Sequence, residues 1–302
     1  MPRPYAPSGN AGRGGLVLLA GASIGAGFAL GLLEGFVSQL VYVVILFPMV
    51  VGAAIGGAAQ WAVDIGKIRR PGAVVLFAIL AGVVAQSTMR VVAYGHARAR
   101  IAERLQSDQE TQAYVAEHGV SESVDAAFRG EQHVLPFLGY LRVVAKNGIT
   151  VTSIGESTKG RGPTLTGGWV YFLWLAELFL VAAIAAMGPH RKATAPFCES
   201  CNAWYDDAKE LIVGAGDRNT LAETCQRFEF GQYAEAMRAL GVSNGKTAAV
   251  VSVLSCPKAC SSHEPVLELK VVAEKRQDTV VYRSLIAPSA LRTMRAAAQA
   301  AG

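Results

Sequence analysis

Residues 168–201 read GWVYFLWLAELFLVAAIAAMGPHRKATAPFCESC, and this stretch joins the two features that decide the fold. Its first part, residues 168–188, is apolar except for Glu177 and is long enough to cross a bilayer core of about 30 Å as a helix. Its last part holds Cys198 and Cys201 in a C-x-x-C spacing, directly after a basic segment. The stretch therefore predicts a transmembrane helix followed by a soluble domain that carries cysteines.

Three more apolar runs lie upstream, at residues 15–35, 41–63 and 72–94. The composition agrees with them, because only 17% of the 302 residues are charged, against about 25% in an ordinary soluble domain. The runs are too long and too uniform to be strands of a membrane barrel. The first run is also too long for the apolar core of a cleaved signal peptide. The sequence thus predicts an all-α bundle of four transmembrane helices.

The basic residues predict how these helices are oriented. Arg69 and Arg70 fill the short link between the second and third runs, and Arg191 and Lys192 follow the fourth. Because such residues mark the cytoplasmic side, both termini are expected in the cytoplasm of a cell with an inner membrane. Residues 1–14 and 189–302 are then cytoplasmic, and residues 95–167 are extracytoplasmic. The net charge of +5 reflects this topology, so no nucleic-acid partner is expected.

Small residues recur along the first two spans. Glycines spaced four apart let helix backbones approach closely. We expect the first two spans to pack as a tight hairpin, or against a second copy in a homo-oligomer, through Gly21, Gly25, Gly27, Gly31, Gly35, Gly52 and Gly56.

Glu177 is the ionisable group nearest the middle of the membrane. It lies nine residues beyond Gly168, or about 13 Å deep at 1.5 Å per residue. Gln86 of the third span lies about 12 Å deep from the same side, and Arg90, at about 6 Å, can extend its long side chain towards Glu177. The sequence predicts that the third and fourth spans pack side by side, with Glu177 turned towards Gln86 or Arg90. A polar clamp between helices is favoured over proton or ion coupling.

Four cysteines near the C-terminus are spaced like metal ligands. Cys198 and Cys201 form one knuckle, and Cys256 and Cys260 form a second one with one extra residue. Two such turns complete a tetrahedral site of four thiolates, which suits zinc. His263 is the leading substitute for one of these ligands. A redox centre is disfavoured, because it needs a single C-x-x-C that opens a helix in a βαβ unit.

Strand patterns flank the second knuckle, at residues 248–254, 266–273 and 279–286. Strand, knuckle and hairpin together resemble a zinc-ribbon module over residues 196–286, although a helical insert separates the knuckles. In that insert, Thr220 and Glu223 have the spacing of a capping box, and Cys225 is expected to be a packed core thiol. The resemblance implies a structural zinc ion and an α+β zinc-ribbon-like cytoplasmic domain. The membrane part is similar to uncharacterised bacterial multi-pass proteins of no named family, which implies no activity.

The sequence favours a membrane protein that is not an enzyme and whose surface contacts lipid. Its zinc-bearing tail is expected to serve as an interaction or regulatory module that binds a protein partner. A closed four-thiolate site has no open position for chemistry. The alternative is a small oligomeric transporter or channel component that uses Glu177. A membrane enzyme that uses Glu177 or the thiols is the least favoured.

Overall fold

A computed structural model describes residues 2–37, 45–129, 135–150, 164–205, 209–215, 217–240, 247–258, 264–273 and 276–301. The chain divides into two compact units. The helix unit is Ala11–Lys192, and the sheet unit combines Met1–Asn10 with Ala193–Gly302. The described residues form ten helices and nine strands.

Seven helices and one short hairpin make up the helix unit. The helices are α1 (Gly15–Val37), α2 (Leu46–Gly66), α3 (Pro71–Ser107), α4 (Gln109–His118), α5 (Val120–Arg129), α6 (Pro136–Asn147) and α7 (Gly168–Ala193). The hairpin pairs β2 (Ile149–Thr150) with β3 (Thr164–Leu165) in antiparallel fashion.

Four of these helices, α1, α2, α3 and α7, are long and apolar enough to cross a membrane. Helices α1, α3 and α7 contain the first, third and fourth apolar runs, and α2 contains residues 46–63 of the second run, whose residues 41–44 lie outside the described residues. The prediction of four long apolar helices is confirmed. The third helix differs in length, since α3 continues to Ser107 instead of ending near residue 94. No proline or glycine-rich break follows residue 94, so its polar continuation stays helical beyond the apolar part.

The glycines of α1 and α2 lie at helix contacts, but not only at the contact that the sequence predicts. A Cβ atom at Gly27 would lie 2.5 Å from the Ala81 carbonyl oxygen of α3, and one at Gly52 would lie 2.9 Å from the Val181 carbonyl oxygen of α7. Gly31, Gly35 and Gly56 lie equally close to α3 or α7, whereas Gly21 and Gly25 face open space. Helices α1 and α2 do pack against each other, with Gly15 and Gly66 in close contact. The predicted glycines that make close contacts meet later helices instead, those of α1 meeting α3 and those of α2 meeting α7.

Small and branched side chains fill the space between α2, α3 and α7. The buried cluster contains Val51, Ile55, Ala78, Ala81, Ala85, Val181 and Ala185. Alanines on α3 let neighbouring backbones approach, which matches the close contacts of the glycines.

The polar part of the helix unit is built on the far end of α3. Tyr94 contacts three aromatic rings of α5 and α6, with centroids 5.4–5.6 Å away: Phe128, Phe137 and Tyr140. Pro136 begins α6, since proline fits the first helical turn. The strand expected at residues 149–154 begins as β2, and the remainder of it lies outside the described residues.

A five-stranded antiparallel sheet forms the sheet unit, in the order β1-β9-β8-β7-β6. Its strands are β1 (Arg3–Pro4), β6 (Lys209–Ala215), β7 (Thr247–Leu254), β8 (Val266–Ala273) and β9 (Arg276–Leu285). A separate small hairpin pairs β4 (Phe197–Cys198) with β5 (Ala203–Trp204). The sequence pattern predicts β7, β8 and β9, whereas β1 and β6 were not predicted.

Three helices cover one face of this sheet: α8 (Arg218–Glu229), α9 (Tyr233–Ala239) and α10 (Pro288–Ala301). Their buried side chains pack on alternate residues of the strands in a core that includes Phe228, Met237, Leu240, Val251, Val253, Leu267, Leu269, Ile286 and Met294. This layer makes the unit larger than a zinc ribbon, because the ribbon-like turns are attached to an α+β domain with its own core.

Helix α8 begins three residues earlier than a capping box at Thr220 would place it. Asp217 is its N-cap, and the Asp217 carboxylate accepts hydrogen bonds from the backbone N–H groups of Asn219 and Thr220. Thr220 therefore lies inside the helix. Aspartate competes well for this position, because it accepts two of the unpaired amide protons of the first turn.

Candidate metal centre and buried charge cluster

The first cysteine knuckle is a tight turn inside the β4–β5 hairpin. Cys198 ends β4, and the backbone N–H of Cys201 donates a hydrogen bond of 3.3 Å to the Cys198 sulfur. Asn202 adopts a left-handed backbone conformation with φ of 49°, which lets the chain turn back into β5. An edge-to-face contact between Phe197 and Trp204, 4.9 Å between centroids, holds the two short strands together.

The second knuckle brings Cys256 to the same place. Cys256 follows the end of β7 after one residue, so an interior strand of the sheet leads to this thiol. The sulfur atoms of Cys198, Cys201 and Cys256 all lie within 4.8 Å of one another. A tetrahedral zinc ion with Zn–S bonds of about 2.3 Å would separate its sulfurs by about 3.8 Å. The limit of 4.8 Å includes this separation, so the three cysteines could hold a metal ion.

Contacts from other parts of the sheet unit fix the two knuckles against each other. The Lys258 ammonium donates to the Cys201 carbonyl oxygen at 3.2 Å. The Tyr5 hydroxyl accepts from the Phe197 N–H at 3.1 Å and donates to the Ala195 carbonyl oxygen at 3.2 Å. The N-terminal segment thus takes part in the cysteine site, which the sequence did not predict.

The other predicted ligands fall outside the described residues. Cys260 and the substitute His263 both lie in residues 259–263. Within the described part of the chain, no disulfide joins any two of Cys198, Cys201, Cys225 and Cys256.

Cys225 lies away from the metal centre, in the core between the sheet and α8. Burial raises the pKa of the Cys225 thiol, and the Glu229 carboxylate adds to the rise. A thiol that stays protonated is a poor metal ligand, since metals bind the thiolate. This agrees with the prediction that Cys225 is a packed core residue.

A second site lies in the helix unit, where charged side chains are buried among apolar helices. The Glu177 side chain is 4% exposed, and its Oε2 atom lies 3.7 Å from Nη2 of Arg90. Arg90 also donates to Oε1 of Gln86 at 3.1 Å and stacks its guanidinium 4.2 Å above the Trp174 ring. Helices α3 and α7 are side by side here, and Glu177 turns to Arg90, as the sequence predicts.

Glu34 of α1 is also part of this cluster, which the sequence did not predict. It is 2% exposed and interacts electrostatically with both Glu177 and Arg90. Neither of its carboxylate oxygens has a hydrogen-bond partner among the described residues. The signal was present in the sequence, because Glu34 is the only acid of the first apolar run.

The intramembrane polar residues predicted from the sequence therefore meet in one cluster, and three of the four predicted metal ligands meet in the other. The chain matches no protein-family model, no curated protein and no solved structure, so its function has to come from its own residues.

Proposed function

We propose that this chain is a multi-pass inner-membrane protein whose cytoplasmic tail is an interaction or regulatory module organised by zinc. The observation that carries the proposal is the convergence of three cysteine sulfurs within 4.8 Å of one another. Soft thiolate ligands in a knuckle geometry favour zinc over hard cations. Cys260 supplies the fourth ligand, with His263 as the substitute.

The zinc ion is structural in this proposal. Three ligands come from two short turns on separate parts of the chain, so one ion would join these turns directly. Structural zinc contributes on the order of 10 kcal/mol of apparent binding energy in small modules. Removal of the ion should separate the knuckles while the sheet core between α8, α9 and α10 persists.

Membrane insertion is supported by the four long apolar helices. The pairing of β1 with β9 supports a shared side for the two termini, because Arg3 lies opposite Leu285 in one sheet. The basic residues Arg69, Arg70, Arg191 and Lys192 place that side in the cytoplasm.

A polar groove beside the first knuckle is the surface we assign to the partner. It has a volume of about 460 Å³, and Arg3, Glu199, Ser200, Tyr205 and Glu264 line it. Both signs of charge are present, which suits a protein segment that offers hydrogen bonds and ion pairs. The groove includes the first knuckle, so its shape depends on the metal site.

The test is purification of the full chain in mild detergent, with metal analysis and mass spectrometry of the proteins that co-purify. We expect one zinc per chain and a reproducible soluble partner, with both lost in Cys256→Ser. Cys225→Ser is the matched control, since it removes a thiol outside the metal centre and should keep both. Absence of stoichiometric metal, or a partner that binds Cys256→Ser equally well, would refute the proposal.

A second candidate function is a small oligomeric transporter or channel component. The buried pair of Arg90 and Glu177 favours it, because ionisable groups inside apolar helices often mark ion or proton routes. Saturable flux into liposomes that is lost in Glu177→Gln would support it, whereas flux-free vesicles would exclude it.

A further inference from the structure

The buried charge cluster has one more acid than base. Glu34, Glu177 and Arg90 interact electrostatically with one another, and Glu34 and Glu177 are almost completely buried. With both carboxylates ionised, the cluster would carry one uncompensated negative charge in an apolar surrounding. A buried charge without a partner is far more costly than a paired one.

Arg90 is already engaged by other groups. Its guanidinium contacts the Glu177 carboxylate, the side-chain amide oxygen Oε1 of Gln86 and the Trp174 ring. Glu177 is therefore the carboxylate that Arg90 neutralises at close range. Glu34 is left with no hydrogen-bond donor among the described residues.

Among the described residues, Glu177 and Arg90 are the charged groups that act on Glu34. Helix α2 has one titratable residue, Asp64, which pairs with Lys192 at 3.1 Å near the other end of α7. On α3, His96 contacts Phe36 rather than Glu34, with ring centroids 5.7 Å apart. On α7, the only carboxylate is Glu177, and the bases His190, Arg191 and Lys192 lie in its last turn, more than three helical turns further along.

A second observation shows that the polar groups of the cluster are not all satisfied by one another. The Gln86 side chain is 5% exposed, and its amide Nε2 has no hydrogen-bond partner among the described residues. Gln86 and Arg90 line one cavity of about 340 Å³, and Arg90 and Glu177 line another of about 180 Å³. Both cavities border the cluster, although mainly apolar residues line them.

We propose that Glu34, Glu177 and Arg90 form a binding site for a single proton. The proton adds to one carboxylate oxygen of Glu34 to give a neutral carboxylic acid, while Glu177 stays ionised against Arg90. The cluster then has no net charge. This inference deepens the second candidate function, since one exchangeable proton among the apolar helices is what proton coupling would need.

The test counts protonated carboxyl groups by infrared spectroscopy of the full chain in lipid vesicles at neutral pH. In the cluster, the number of protonated carboxyl groups should equal the number of carboxyl groups minus the number of arginines. The wild-type cluster should therefore show one carboxylic C=O band. Glu34→Gln should show none. Glu177→Gln should also show none, because Glu34 can then ionise against Arg90.

Arg90→Gln should show two protonated carboxyl groups, which doubles the band. Asp64→Asn is the control, because its carboxylate is paired elsewhere, and it should leave the band unchanged. A wild-type spectrum without the band, or a band that survives in Glu34→Gln, would overturn the proposal. Loss of the wild-type band on addition of sodium would show a metal-cation site instead.

This count is independent of transport. Vesicles without flux but with the expected band numbers would remove the transporter function and keep the proton site. If Glu34→Gln does not fold, the comparison of wild type with Glu177→Gln and Arg90→Gln still decides the matter, because their expected band counts differ.

Discussion

Tyr5 shows how a single hydroxyl group can join distant parts of the chain. It bridges the backbone on both sides of Pro196, next to the first knuckle, although Phe197 lies 192 residues further along the chain. Arg3 adds a bidentate ion pair with Glu264, at 2.6 and 2.9 Å, on the same short segment. The N-terminal residues are thus a structural part of the cysteine-bearing unit.

We predict that Tyr5→Phe weakens metal retention without abolishing it. The change leaves the Phe197 N–H and the Ala195 carbonyl without this partner, which typically costs about 1 kcal/mol, or about fivefold in affinity. Titration of the purified chain with a chelator measures the effect. Tyr114→Phe is the control, since Tyr114 is an exposed residue of the helix unit. Equal chelator midpoints for wild type and Tyr5→Phe would contradict the role of this hydroxyl.

Cys225 leads to a prediction about alkaline pH. Burial raises the pKa of Cys225 above its ordinary value of 9.0, and burial also raises the pKa values of Tyr233 and Tyr282 above 10.0. The folded state therefore holds these protons more tightly than the unfolded state. Their contribution to stability is complete below pH 9.0 and falls as pH rises through the folded-state pKa values.

Alkylation of Cys225, located by mass spectrometry, measures this directly. In the native chain its half-maximal rate should occur at a higher pH than in the chain unfolded in urea, because the thiolate is the reactive form. The same half-point in both states would show that the folded core does not protect this thiol.

At the level of the elements, close helix contacts depend on particular glycines rather than on glycine content. A Cβ atom at Gly31 would overlap the Ala85 carbonyl oxygen of α3, whereas one at Gly25 would meet nothing within 4 Å. Both residues lie on α1 and differ only in the face that they occupy. The same substitution at both positions changes helix propensity equally, so a difference between the two variants reports the loss of packing.

We predict that Gly31→Leu disrupts the contact of α1 with α3 and that Gly25→Leu does not. Overpacking a close contact typically costs 1–3 kcal/mol, about the range that lowers the yield of folded protein severalfold. Size-exclusion profiles and thermal unfolding in detergent compare the two variants. If Gly25→Leu were as damaging as Gly31→Leu, a second copy would have to occupy the open face of α1.

At the level of the whole molecule, the pairing of β1 with β9 links the two ends of the chain. We predict that both ends are cytoplasmic and that α4 is outside. Labelling of single cysteines with an impermeant reagent tests this, with Gln109→Cys reactive in intact cells and Gln277→Cys reactive only after permeabilisation. The reverse pattern would overturn the orientation that Arg69, Arg70, Arg191 and Lys192 predict.

Much of the architecture could be read from local patterns. Long apolar runs predict α1, α2, α3 and α7, because a helix satisfies its own backbone and its length follows from its residues. Strands β7 and β8 were predicted from their alternating or branched residues. Strand β1 was not predicted, because two residues are too short to show a periodic pattern. It also forms only by pairing with β9, which lies far away along the chain.

The sequence by itself determined which residues could matter: the cysteine knuckles, Glu177 with Gln86 and Arg90, and the small residues of the first two spans. These follow from residue type and spacing, which are local properties. Only the tertiary structure decided which of them meet. In the folded chain, three glycines of α1 lie against α3, and the Tyr5 hydroxyl accepts a hydrogen bond from the first knuckle. Glu34 interacts there with Arg90 and Glu177. The reason is that contacts between distant segments depend on how the elements pack, and no spacing along the chain encodes that packing.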